Sequence, residues 1–118
     1  MLLFKKKYLD AIRSGDKTQT IRLWEHCRMR SGQRSYIPGV GYIRVTIVEP
    51  VKLRDLTDED AIVDGFSSAR ALRRELRELY AAELAAGYQA YRVCFEVLPP
   101  AEQEIAREER RRRRKSNA

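Results

Sequence analysis

The chain has 118 residues, enough for one domain with a modest core, and its 43% apolar content argues against a disordered chain. No stretch approaches the ~20 consecutive apolar residues of a membrane span. The net charge of +7 sits at the two ends: residues 1–35 hold nine Lys/Arg against three Asp/Glu and residues 101–118 seven against four, while residues 51–86 hold six against eight. That distribution suits a polyanionic partner. Lys5, Lys6 and Lys7 follow the short apolar start instead of preceding it, the reverse of a secretory signal. The expectation is a cytoplasmic protein with no membrane association. Cys27 and Cys94 are far apart and His26 is the only histidine, so neither a disulfide framework nor a metal or cofactor site is expected.

In chain order, Phe4, Tyr8 and Ile12 recur at steps of four and predict one face of a short helix, closed by Gly15. Residues 17–24 alternate and are rich in β-branched side chains, which predicts a strand. Ile21 and Leu23 should face the core, with Thr18, Thr20, Arg22 and Trp24 on the other face. A polar loop over 25–35 carries Arg28, Arg30 and Arg34. A second strand is predicted over 41–48 with Ile43, Val45 and Ile47 inward, and Pro50 limits it or marks an edge.

Thr57 and Asp60 have the spacing of a helix cap, and Asp64-Gly65-Phe66 breaks the short helix that follows. A longer helix is predicted over 68–86, with Ala69, Leu72, Leu76, Leu79 and Tyr80 as its apolar stripe. The last strand, 88–98, places Tyr91, Val93, Phe95 and Val97 on one side and stops at Pro99-Pro100. The helical segments do not separate the strands regularly, so the pattern predicts an α+β domain: a small, mostly antiparallel β-barrel with flanking helices over residues 1–100. Residues 101–118 are almost all charged. They predict a basic arm, a solvated helix or disordered, without a core-facing stripe.

Two stretches carry a family resemblance. Gly15-x-Lys17-x-x-Thr20-x-Arg22 follows the first helix. Leu53-x-x-Leu56-Thr57-Asp58-Glu59-Asp60-Ala61-x-x-Asp64-Gly65-Phe66 is an acidic helix with a sharp turn, and the next helix ends near Tyr80. Together they resemble the ASCH domain of the PUA-like superfamily, over about residues 1–98. The resemblance implies a PUA-like barrel with a cleft and a role in RNA biology. Some small members are N4-acetylcytidine amidohydrolases and others resemble ribonucleases. In the former, a motif lysine, a motif threonine and an acidic residue form the site, which corresponds here to Lys17, Thr20 and Asp64. Those enzymes carry Glu at the third position, so Asp64 is one methylene shorter.

The residues themselves allow two readings. A lysine after a tight turn meets a phosphate as a point charge, or, once desolvated, serves as a base beside the Thr20 hydroxyl. Arg22 and Trp24 share Thr20's face and could grip phosphate or stack on a base, as in single-strand recognition, with Arg28, Arg30 and Arg34 in the adjoining loop. The first reading is therefore an RNA-binding module that uses Lys17, Arg22, Trp24, Arg28, Arg30 and Arg34, with the arginine arm adding salt-sensitive affinity; single-stranded RNA fits best, and DNA is not distinguished from it. The alternative is a hydrolase built on Lys17, Thr20 and Asp64.

Overall fold

The computed structural model describes residues 1–116. Four strands, β1 (Gln19–Trp24), β2 (Arg34–Ile37), β3 (Gly41–Val51) and β4 (Gln89–Val97), form one antiparallel sheet in the order β1-β4-β3-β2. The sheet is open. The predicted barrel does not close, because β1 and β2 end the strand order and do not pair with each other. Four strands, one of them only four residues long, cannot curl round an interior, so the apolar side chains are covered by other elements instead.

That cover exists on both faces. Cross-strand partners share a face, so Thr20 lies with Val93 and Ile21 with Arg92. On the Thr20 side, Val93, Phe95, Ile43, Val45 and Ile37 pack with Leu2 and Ile12. On the Ile21 side, Ile21, Leu23 and Ala90 pack with Leu56, Ala61, Leu72 and Leu76. The first strand is thus covered all round, and Gln19 and Thr20 are buried beside its apolar residues.

β3 departs from simple alternation. Val45 pairs with Phe95, but Ile47 pairs with Cys94, one residue out of step. This bulge at Thr46 turns Ile47 away from the Val45 face, and Ile47 is 47% exposed instead of inward. Val48 then pairs with Val93 and takes the inward place. Pro50 lies beyond the part of β3 that β2 pairs with, where a missing donor does no harm.

The helices are α1 (Leu9–Ser14), α2 (Asp58–Asp64), α3 (Ala69–Leu79), α4 (Ala81–Ala85) and α5 (Pro100–Ser116). Phe4 precedes the first helical turn, a 3-10 turn over Lys6–Tyr8 that leads into α1. α2 starts with a capping box: the Asp60 amide donates to the Thr57 hydroxyl, and the Thr57 amide donates to the Asp60 carboxylate. The helix predicted over 68–86 is broken at Tyr80, whose φ of −114° and ψ of 29° leave the helical region; its ring joins the Ile21–Leu23 cluster. No glycine or proline marks that break.

The C-terminal segment is a helix through Ser116; Asn117 and Ala118 of the predicted arm lie outside the described residues. Pro100 opens it, where a missing amide hydrogen is harmless. Glu102 lies in the first turn and Arg113, Arg114 and Lys115 in the last, complementing the helix dipole. Contrary to the reading of a wholly solvated face, Gln103 and Ala106 are buried. Gln103 is polar yet satisfied: it accepts from the Tyr42 amide (2.9 Å) and donates to the carbonyls of Tyr42 (2.7 Å) and Leu98 (3.0 Å).

Candidate functional site

The turn after α1 brings Lys17 between two helices. Its amide donates to the Ala11 carbonyl at 3.0 Å, and the Thr18 amide donates to the Val63 carbonyl at 2.9 Å, tying β1's entrance to the end of α2. α2 ends on Gly65 at φ 94°, a left-handed conformation that favours glycine and leaves the last carbonyls turned out. Lys17 fills that place. Its ammonium donates to the Asp64 backbone carbonyl and, at 2.5 Å, to Asp64 Oδ1. Both residues are buried, at 3% and 4% exposure.

This pair is the electrostatic centre of the domain. Burial pushes the Lys17 pKa below its usual range, against the raising effect of Asp64 and with Arg22 adding to the fall. Burial likewise raises Asp64, against the opposing pull of Lys17, Gln19 and Arg22. Asp64 Oδ2 has no hydrogen-bond partner among the described residues; the neighbouring Gln19 amide donates instead to the Asp60 carbonyl at 3.3 Å. Desolvation therefore works against charge on both partners, which makes a proton easier to move at this pair than at an exposed one.

Thr20 and Arg22 project from β1 on one face. Arg22 Nε donates to Thr20 Oγ1 at 3.0 Å and Nη2 to the Leu3 carbonyl at 2.7 Å, so the Thr20 hydroxyl keeps its own hydrogen free to donate. Arg22 stacks 4.7 Å from the Phe4 ring centre, and the Lys17 ammonium lies 5.2 Å from that of Tyr8. Burial lowers the Arg22 pKa, countered by Tyr80 and then Asp64.

These groups line one cavity of about 400 Å³. Lys17, Thr20, Arg22 and Asp64 supply its polar surface, and Phe4, Tyr8, Phe66, Leu76 and Tyr80 its apolar walls. Lys5 and Glu75 also line it, joined by a 3.3 Å ion pair. Trp24, Arg28, Arg30 and Arg34 do not. Trp24 packs on Tyr91, ring centres 5.6 Å apart; Arg28 and Arg30 are exposed in the loop; Arg34 pairs with Glu109 of α5. Phe4 and Tyr8 read in sequence as a helix's core face, and nothing in the sequence singles out Glu75; only the fold places them at the cavity. Among the described residues, no group of three or more His, Cys, Asp or Glu side chains is placed to hold a metal ion. No helix among them is long and apolar enough to cross a membrane.

No family model and no curated protein matches the chain by sequence. Solved structures do match in three dimensions. A crystal structure of an ASCH domain from Lactobacillus crispatus JV V101 superposes with a TM-score of 0.64 at 16% identity, over 75% of this chain and 69% of that one. The protein EF3133 from Enterococcus faecalis V583 gives 0.65 at 21% identity, over 78% and 67%. The hypothetical protein PH0355 gives 0.69 at 17% identity, over 81% and 95%. At these identities the likeness is one of fold.

Proposed function

We propose that this chain, which has the fold of an ASCH domain, binds RNA in the cell by drawing one unstacked base into its cavity. The observation that carries this reading is the make-up of the cavity: aromatic walls from Phe4, Tyr8, Phe66 and Tyr80 around Lys17, Thr20 and Arg22. Single-stranded bases are recognised by this combination of ring stacking and hydrogen bonds to the base edge. A cavity of about 400 Å³ lies in the range used for small ligands, ~300–1,000 Å³. Lys5, Lys6 and Lys7 are exposed in the segment that borders the cavity, where backbone phosphates would meet them. The test is calorimetry with free nucleosides and short single-stranded RNAs. Saturable nucleoside binding that competes with RNA supports the reading; RNA binding that no nucleoside displaces would remove it. Single-stranded DNA of the same sequence tells whether the ribose 2′-hydroxyl contributes.

The buried Lys17–Asp64 pair favours a second reading, a hydrolase of the ASCH type acting on N4-acetylcytidine or on RNA. A neutral Lys17 could take the proton of an attacking water as the acyl carbon is attacked, or of the Thr20 hydroxyl, in which case the acyl group passes to Thr20 as an ester that a water then hydrolyses to acetate. Arg22 would stabilise the oxyanion that forms, and the proton would return from Lys17 to the departing amine. Chromatography of N4-acetylcytidine incubated with the protein should show cytidine and acetate, with Lys17→Ala inactive. Absence of turnover in the folded wild type would leave binding alone.

A further inference from the structure

A second concave surface lies at the far edge of the sheet from the cavity. β1 carries Lys17's end of the sheet and β2 the opposite edge, with β4 and β3 between them, about 14 Å at ordinary strand spacing. Here α5 runs over the outer strands. Tyr36 of β2 and Tyr42 of β3 are direct cross-strand partners, so their rings rise from the same face, 5.0 Å apart and inclined at 62°. Arg107, Arg110, Arg111 and Arg114 are spaced at i, i+3, i+4 and i+7, one side of the helix. They line a space of about 360 Å³ together with the two tyrosines.

A solvated helix face explains this arrangement poorly. Such a face points its charges away from the protein, whereas here Arg110 of the helix reaches over the Tyr36 ring at 5.9 Å; Arg34 of β2, paired with Glu109, lies over Tyr42 at 6.0 Å. A face that only packed would carry leucine there. The charge is also available. Among the described residues Arg107 and Arg111 pair only with Glu104 and Glu108 of their own exposed helix, which is weak competition for a polyanion. Arg110 and Arg114 enter no ion pair among the described residues. Aromatic rings framed by arginines match the alternating chemistry of a single-stranded nucleic acid, bases to stack and phosphates to pair.

We infer that this groove is a second RNA site, which holds a single-stranded segment by stacking on Tyr36 and Tyr42 while Arg107, Arg110, Arg111 and Arg114 meet its phosphates. The inference rests on RNA as the ligand class proposed above, but on none of the cavity's residues.

The experiment measures fluorescence anisotropy of a labelled ten-residue oligouridylate on the full chain across a salt series. Polyphosphate and polyglutamate serve as probes that carry charge without bases. Replacing both tyrosines (Tyr36→Leu, Tyr42→Leu) should weaken oligouridylate about tenfold with an unchanged salt slope, and leave polyphosphate binding as it was. Replacing both tyrosines by phenylalanine should keep the affinity, and if the leucine variant does not fold the arginine variant that follows decides. Arg110→Gln with Arg114→Gln, both at exposed helix positions, should reduce the salt slope by about 1.4. The inference is overturned if the folded leucine variant weakens polyphosphate as much as oligouridylate, if the arginine variant keeps the wild-type slope, or if polyglutamate binds the groove more tightly than RNA. Nucleoside binding by the wild-type cavity is followed in parallel. Its absence would end the cavity reading alone, and indifference of oligouridylate to the groove substitutions would end this one alone.

Discussion

Two of the settings in which the chain forms ion pairs differ in nearly everything but chemistry. Lys17 and Asp64 meet in the interior, 3% and 4% exposed, with one carboxylate oxygen left without a partner among the described residues. On α5, Arg107–Glu104, Arg111–Glu108 and Arg112–Glu108 stand in water one helical turn apart. The helix pairs help a chain segment with few apolar residues stay helical and contribute little more. The interior pair must overcome the removal of two charges from water, and its attraction offsets that only in part. Stability therefore does not account for Lys17 and Asp64. The two side chains instead line the cavity described above, and the ligand role proposed for them there is what the following substitutions test.

The comparison is broken most directly by removing one partner. Asp64→Ala or Lys17→Met should each lower the unfolding free energy by about 3–5 kcal/mol, read from denaturant titration, because a buried charge is left alone. The double change Lys17→Met with Asp64→Leu should recover most of that loss while abolishing nucleoside binding. If the double variant is as unstable as the singles, the pair is a packing element rather than a functional one.

The same pair sets a pH dependence. Asp64 is raised above its reference value of 3.8 and Lys17 lowered below 10.5. The stability that Asp64 gains as a neutral acid is fully present below pH 3.8 and is lost as pH rises through its raised value. The stability that Lys17 gains as a neutral amine is fully present above pH 10.5 and is lost as pH falls through its lowered value. The apolar double variant lacks both terms. Its stability relative to the wild type in thermal melts should therefore be most favourable between those limits and less so toward either extreme.

A smaller effect is expected where α5 meets the sheet. Gln103→Leu leaves the Tyr42 amide without its side-chain acceptor and should cost about 1–3 kcal/mol in the same titration. Gly41→Ala should act through the same contact: Gly41 holds φ 127°, and an added Cβ would sit 2.9 Å from Gln103 Oε1. The smallest effect belongs to the surface pairs. Arg111→Gln with Arg112→Gln should leave the melting temperature unchanged, and a fall of several degrees would show that α5 depends on its ion pairs.

What could be read from sequence was what local chemistry decides. Thr57 with Asp60, the glycines at 15 and 65 and the paired prolines at 99 and 100 place helix and strand ends through contacts a few residues long. What could not be read depends on distant partners. The bulge at Thr46 is a mismatch between β3 and β4, invisible in either strand alone. The break at Tyr80 accompanies a ring that packs against β1 residues. Closure of the sheet depends on strand count and length, which alternation does not report. At the cavity, Lys17, Thr20, Arg22 and Asp64 stand out by motif, and the structure brings these four to one place. Phe4, Tyr8 and Glu75 join them from segments whose patterns mark helices and not a site, while Trp24, Arg28, Arg30 and Arg34 lie in other surroundings.

Gln103 has a consequence for the geometry of α5. A primary amide carries a donor and an acceptor in one plane, as a peptide group does, and Gln103 offers both to Tyr42. It does so just past β4, where the Leu98 amide makes a main-chain bond to the Tyr42 carbonyl and prolines follow, so a side chain extends the ladder beyond that bond. Glutamate has the same shape but no donor, and asparagine is one methylene shorter. Only glutamine can imitate the absent strand residue at this position. Together with buried Ala106 and the Arg34–Glu109 pair, it holds one side of α5 to the sheet, the registration in which Arg107 and Arg110 line the groove with the two tyrosines.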